Sequence, residues 1–141
     1  GTTITLADGA EFHVRAVTTT QFKMTYSVSG TFTITGTGFA ANPTGTAKYT
    51  AQNGFVTLYI PSLSGTSNAI SFTLTGLPAA AKGLAAATDL VLLHALDNTA
   101  HIVCYGSINN QTISLFATVS LGNWTASGTK AIGAVAISYS A

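Results

Sequence analysis

Polar and apolar residues alternate along most of the chain with a period of two. In Val28-Ser29-Gly30-Thr31-Phe32-Thr33-Ile34-Thr35-Gly36, Phe32 and Ile34 share one side and Ser29, Thr31, Thr33 and Thr35 the other. In residues 69–75, Ile70, Phe72 and Leu74 are expected to point inward and Ser71, Thr73 and Thr75 outward. In residues 112–119 the expected inner set is Ile113, Leu115, Ala117 and Val119. This period belongs to β-strands, whose successive side chains leave opposite faces. Asn53-Gly54 stands between two such runs and is a strong hairpin signal, because both residues tolerate positive φ. Asp8-Gly9, Asp97-Asn98-Thr99 and Asn109-Asn110-Gln111 separate other runs, and Pro61 ends the strand before it by lacking a ladder N–H. Residues 2–6 and 11–17 read as two further strands, and residues 131–139 as a last one built of small side chains around Gly133. Residues 77–87 are expected to form a loop with at most one helical turn, since Gly83 interrupts the alanines. Residues 120–130 form a Gly/Ser/Thr/Asn-rich loop carrying the only tryptophan, Trp124.

About ten short strands separated by turns, at roughly 8–12-residue spacing, predict an all-β fold, an antiparallel β-sandwich of jelly-roll-like form. Its head spans residues 29–141. Residues 1–28, poorer in glycine and holding Glu11, Arg15 and Lys23, are expected to be a neck or first strands. Leu90-Val91-Leu92-Leu93 is apolar on both faces, so the outer side of that strand is expected to need a partner; a second copy is the simplest.

Composition sharpens this picture. Charged residues make up 6% of the 141-residue chain, against about 25% in an average domain. The net charge is +1 and no Lys/Arg cluster occurs, so nucleic-acid binding by phosphate neutralisation is not expected. Hydrophobic residues reach 47%, yet Thr, Ser and Gly interrupt every run short of the roughly 18 apolar residues of a spanning helix, and membrane insertion is not expected. The first residues carry no basic region followed by an apolar stretch, and a leading glycine is consistent with an internal boundary of something longer. The single cysteine, Cys104, lies in an apolar run and is expected to be buried. A surface with so few charges offers weak protection against association, a second argument for an oligomer.

The ordered fragments Ser29-Gly30-Thr31-Phe32-Thr33, Asn42-Pro43-Thr44-Gly45-Thr46, Gly54-Phe55-Val56-Thr57-Leu58-Tyr59-Ile60-Pro61, Leu63-Ser64-Gly65-Thr66-Ser67-Asn68-Ala69 and Leu74-Thr75-Gly76-Leu77-Pro78 extend over residues 29–78. This series resembles a recurrent pattern at the C-terminal ends of bacteriophage tail-fibre and related phage structural proteins. The resemblance implies a homotrimeric tip, located on the virion tail and extracellular when acting, that binds a bacterial cell-surface glycan or protein. It equally admits a domain that only trimerises the fibre or decorates the virion. A carbohydrate-binding part of a secreted enzyme is a third reading, without positive support in the residues.

No catalytic set stands out, and no enzyme activity or cofactor is expected. The acids Asp8, Glu11, Asp89 and Asp97 are few, and neither a nucleophile elbow nor a phosphate-binding loop occurs. His94 and His101 flank a turn near Asp97 and could approach across strands; the preferred reading is of ordinary strand residues, with no metal site. A sugar-binding module needs an aromatic ring for the apolar face of a pyranose and directional amides or hydroxyls beside it. Asn123, Trp124 and Thr125 in the long loop are the first candidates, with Tyr105, His101, Asn109 and Asn110 behind them. Trp124 has an alternative use, packed over the end of the fold.

Overall fold

A computed structural model describes residues 10–18, 21–84 and 90–141 and, for residues 10–26, strand placement alone. The described residues form β1 (Ala10–Thr18), β2 (Gln21–Thr37), β3 (Thr44–Gln52), β4 (Phe55–Ile60), β5 (Leu63–Thr66), β6 (Phe72–Thr75), β7 (Leu90–Asn98), β8 (Ala100–Asn109), β9 (Thr112–Phe116), β10 (Thr129–Ile132) and β11 (Val135–Ser140). One 3₁₀ turn, Ala79–Ala81, is the only helical element among them, and no helix there is long and apolar enough to cross a membrane. The all-β expectation holds. The expected strand at 2–6 and the turn at Asp8-Gly9 lie outside the described residues, as do positions 85–87 of the alanine-rich loop.

All pairings are antiparallel and follow the path β11-β4-β3-β2-β6-β9-β8-β7-β10-β5, with β1 added to β2. Consecutive pairs are joined by the expected turns: Asn53 (φ 53°) and Gly54 (φ 80°) between β3 and β4, Asn98 (φ 60°) between β7 and β8, Asn110 (φ 53°) between β8 and β9. Asparagine is among the few non-glycine residues that reach this region at modest cost.

The sheet curls because one two-stranded ribbon serves both of its ends. β4 pairs β11 and β5 pairs β10, and the register is continuous: Val135 faces Ile60, and three residues away on each chain Ile132 faces Leu63. The break falls at Pro61-Ser62 on one side and Gly133-Ala134 on the other, where both chains bend together from one end of the path to the other. Proline removes a ladder donor at that corner. Gly45 makes room for it, since a Cβ there would lie 2.6 Å from Pro61 Cγ. Hence the single strand expected over 131–139 is two strands, and β5, too short to alternate visibly, was not anticipated.

Inside the curl lies one apolar core. β4 gives the plainest case: Val56, Leu58 and Ile60 are fully buried while Phe55, Thr57 and Tyr59 are exposed. Phe72, Leu74, Leu93, Ile113 and Leu115 meet them from the other strands. Each such side chain contributes roughly 1.5–3 kcal/mol by leaving water. Cys104 is buried as expected, and burial pushes its thiol up to about 11. Two inward assignments fail. Ile70 and Val119 are 54% and 68% exposed, because β6 begins only at Phe72 and β9 ends at Phe116.

The boundary expected after residue 28 falls inside β2, which runs unbroken from Gln21 to Thr37. Its two halves differ in company. Residues 21–26 pair with β1 alone among the described strands, whereas β3 joins from Ser27 onward.

Candidate functional site

The long loop between β9 and β10 is pinned by its own polar groups. Trp124 donates its indole N–H to the Leu115 carbonyl at 2.7 Å and its backbone N–H to the Ile70 carbonyl at 3.0 Å. The Asp97 carboxylate, at the end of β7, accepts from the Thr125 backbone N–H at 3.1 Å to each oxygen and from the Thr125 hydroxyl at 3.2 Å. Trp124 is 2% exposed and packs edge-on against Phe72, with centroids 5.2 Å apart. Of the two uses considered for Trp124, this geometry is that of a residue packed on the core. The ring is almost fully buried, and its one polar atom is already bonded within the chain. Asn123 and Thr125, its neighbours, are exposed.

Beside Trp124 sits a lysine whose role the sequence concealed. Lys130 is fully buried, and its ammonium donates to the carbonyls of Gly38, Ala69 and Ser71 at 3.2, 2.8 and 2.9 Å. The rings of Phe39, Phe72 and Trp124 surround it, with centroids 5.4–5.8 Å from Nζ. Three N–H groups meet three acceptors, which is how a buried ammonium is tolerated. Burial lowers its pKa, and Asp97, opposite it across the β10–β7 pairing, pulls it partly back. The group ties three separate chain segments at one corner and faces no solvent; its work is structural.

The surface that does meet solvent here is the outward face of β7, β8 and β9. Strand register places Leu92 opposite Tyr105 and Tyr105 opposite Phe116, a row of three large side chains across three strands. The adjacent row is Leu90, Ser107 and Ser114. Leu90, Leu92 and Val103 are 57%, 59% and 56% exposed, and Tyr105 and Phe116 are half-buried. Directly paired residues on such a face stand about 4.5–5.5 Å apart at Cβ, so the row is continuous. At its β9 end lies a cavity of about 290 Å³ between the sheet and the loop, walled by Ile70, Phe116 and Asn123, with Ser71 and Ser114 on its polar side and Phe72 and Trp124 at its floor. No charged residue lines the cavity or either row. Apolar surface flanked by hydroxyls and one amide suits a neutral ligand with both a hydrophobic face and directional polar groups.

The candidates read from the sequence therefore separate. Asn123 lies on the cavity and Tyr105 on the row that leads to it; Thr125 and His101 belong to the same end of the molecule, near Asp97. Asn109 and Asn110 are at the other end of β8, eight residues from His101, which is roughly 26 Å along an extended strand. There Asn110 accepts from the Gly83 N–H at 2.8 Å, and the neighbouring Gln111 amide donates to Leu77 at 2.6 Å. Leu92 and Phe116 were missed. Their signal lay in the sequence as strand runs apolar on both faces, but which residue would pair with Tyr105 needed the register.

No known protein-family model matches the chain, and no curated protein matches it.

Proposed function

We propose that the chain is the distal domain of a bacteriophage tail fibre, assembled as a homotrimer, that attaches to a neutral glycan or protein on the bacterial surface through the outward face of β7, β8 and β9 and the cavity beside Asn123. On this reading the curled sheet is a jelly-roll-like sandwich, with β11-β4-β3-β2 as one layer and β6-β9-β8-β7-β10-β5 as the other. The observation that carries it is the uncharged Leu92–Tyr105–Phe116 row ending in a cavity. Leu92 is more than half exposed on that row and Leu90 and Val103 beside it, and exposed apolar residues grouped together mark contact surfaces more often than scattered ones do. The resemblance of residues 29–78 to phage fibre ends supplies the biological setting.

The second reading, a domain that only joins three chains, is favoured by Leu90, Leu92 and Val103, which have no polar group of their own to recognise a sugar. Light scattering on the full chain, followed by binding of the labelled protein to a panel of bacteria and a glycan array, separates the two. Attachment predicts a trimer mass and cell binding that falls at least tenfold in Asn123→Ala/Tyr105→Ala, with the melting curve retained. A trimer that ignores every cell and glycan supports the joining role. A 14 kDa monomer with no binding ends both.

A further inference from the structure

His94 and His101 lie on the outward face of the same hairpin, one on each strand and diagonal to each other, since His94 pairs Val103 and His101 pairs Leu96. Both are exposed. His101 Nδ1 stands 3.3 Å from His94 Nε2, with the rings inclined by 24° and their centroids 5.3 Å apart. At that distance one imidazole donates an N–H to the ring nitrogen of the other. We infer that the same two nitrogens form a chelating site for a divalent transition-metal cation of the zinc, nickel and copper class, a site on the same outward face as the attachment proposed above but resting on its own geometry.

The spacing is the first reason. Two nitrogens bound to a tetrahedral zinc at about 2.0–2.1 Å stand about 3.3–3.4 Å apart, so the pair already has the length of one edge of the coordination shell. Modest ring rotations turn both lone pairs onto one ion, and exposure leaves room for them. The second reason is rigidity. Eight consecutive pairings hold β7 to β8, and the Gly133 N–H donates to the His94 carbonyl at 3.0 Å, fixing the backbone that carries one ligand. Gly133 lies on the Nδ1 side of the His94 ring, where a Cβ would stand 3.7 Å from Nδ1, and so leaves the proposed ligand atom Nε2 on the other side. The third is ligand type. Imidazole selects late first-row cations, while calcium and magnesium require oxygen ligands that the pair lacks. No third His, Cys, Asp or Glu among the described residues completes a cluster, so the remaining positions go to water or to a donor of a docked molecule.

Zinc titrated calorimetrically into the full chain is expected to bind at one site per chain, with nickel and copper also bound and calcium and magnesium silent. His94→Gln and His101→Gln are each expected to lower zinc affinity at least tenfold, and His13→Gln to leave it unchanged. Nitrogen-15 spectra of the imidazoles are expected to shift at both His94 and His101 and to leave the amide pattern of the sheet in place, which separates lost ligation from lost folding. Zinc binding that survives the double variant, or that depends on His13, overturns the site. So does the absence of any heat or spectral shift at millimolar zinc.

Discussion

The β7–β8 hairpin has two faces built from the same few residue types, and they are used in opposite ways. Leu93, Ala95, Cys104 and Gly106 point inward and are buried; Leu92, His94, Val103 and Tyr105, each one position away, point outward. On the inner face the polar atoms are accounted for. No buried side-chain nitrogen or oxygen among the described residues lacks a partner, and at the end of that face Lys130 and Asp97 bond carbonyls and the Thr125 segment. On the outer face an apolar row, two imidazoles bonded only to each other and a cavity edged by an amide are left to solvent. Hydrophobicity alone does not distinguish core from contact surface in this molecule. Satisfaction of polar groups does, and so does what the ribbon corner closes over.

The sharpest way to break this contrast is at its inner corner. Lys130→Met keeps much of the side-chain volume and removes the charge. By itself an uncharged side chain should suit a buried site better, because the ammonium pays for desolvation. Here three carbonyls lose a charged donor at once, and hydrogen bonds to charged groups are each worth about 1.5–3 kcal/mol. The expected outcome is a loss of about 3–5 kcal/mol in urea denaturation. A neutral or stabilising result would mean that the carbonyls are satisfied some other way and that the inner face is ordinary apolar packing.

This corner also marks how far the sequence could be read. The strands over 44–60 and 90–116 and their three asparagine-bearing turns follow from period-two alternation and turn chemistry, both local properties. Lys130 was not legible as a buried residue, since nothing near it in the chain announces Gly38, Ala69 and Ser71, which lie 59 to 92 residues away. Trp124 was legible as important but not as buried, because its acceptor is the carbonyl of Leu115 in the preceding strand, reached only when the loop folds back. The break at Gly133-Ala134 was hidden because its cause is Pro61 on the partner strand. On the outer face the exposed residues were visible one at a time. The row they form depends on register, which a single strand does not contain.

Alkaline pH tests the inner face at a second point. Cys104 carries its proton in the fold to about 11, against an ordinary value of 9.0, because burial disfavours the thiolate. Its contribution is therefore complete below about pH 9 and is lost as the pH rises from about 9 to about 11, where the unfolded chain ionises first. Two units correspond to about 2–3 kcal/mol, falling by at most about 1.4 kcal/mol per pH unit. Tyr139, buried with its hydroxyl donating to the Ala81 carbonyl at 2.6 Å, has its pKa raised by burial and acts with the same sign. Lys130, with a pKa lowered by burial, acts oppositely: the unfolded chain holds that proton more tightly, so its contribution improves with rising pH. Urea midpoints at pH 8, 9, 10 and 11 under reducing conditions are expected to fall, and to fall less steeply in Cys104→Ala. Equal slopes in the two proteins would place the thiol in contact with water.

The smallest expected effect on stability is the most informative about the outer face. Leu92 and Leu93 are neighbours on β7, 59% and 2% exposed. Leu92→Thr introduces a β-branched residue suited to a strand while removing apolar surface from the row. If that row is only exposed, the change is expected to move the unfolding free energy of the dilute chain by no more than about 0.5 kcal/mol, as at other surface positions. The same substitution is expected to weaken whatever the face engages. If copies meet there, sedimentation at matched concentrations shifts toward lighter species; if a bacterial surface docks there, cell binding falls while the assembly mass stays constant. A loss of 2 kcal/mol or more in the dilute chain would instead show that Leu92 is covered within one molecule, and the two faces of the hairpin would then be a single core.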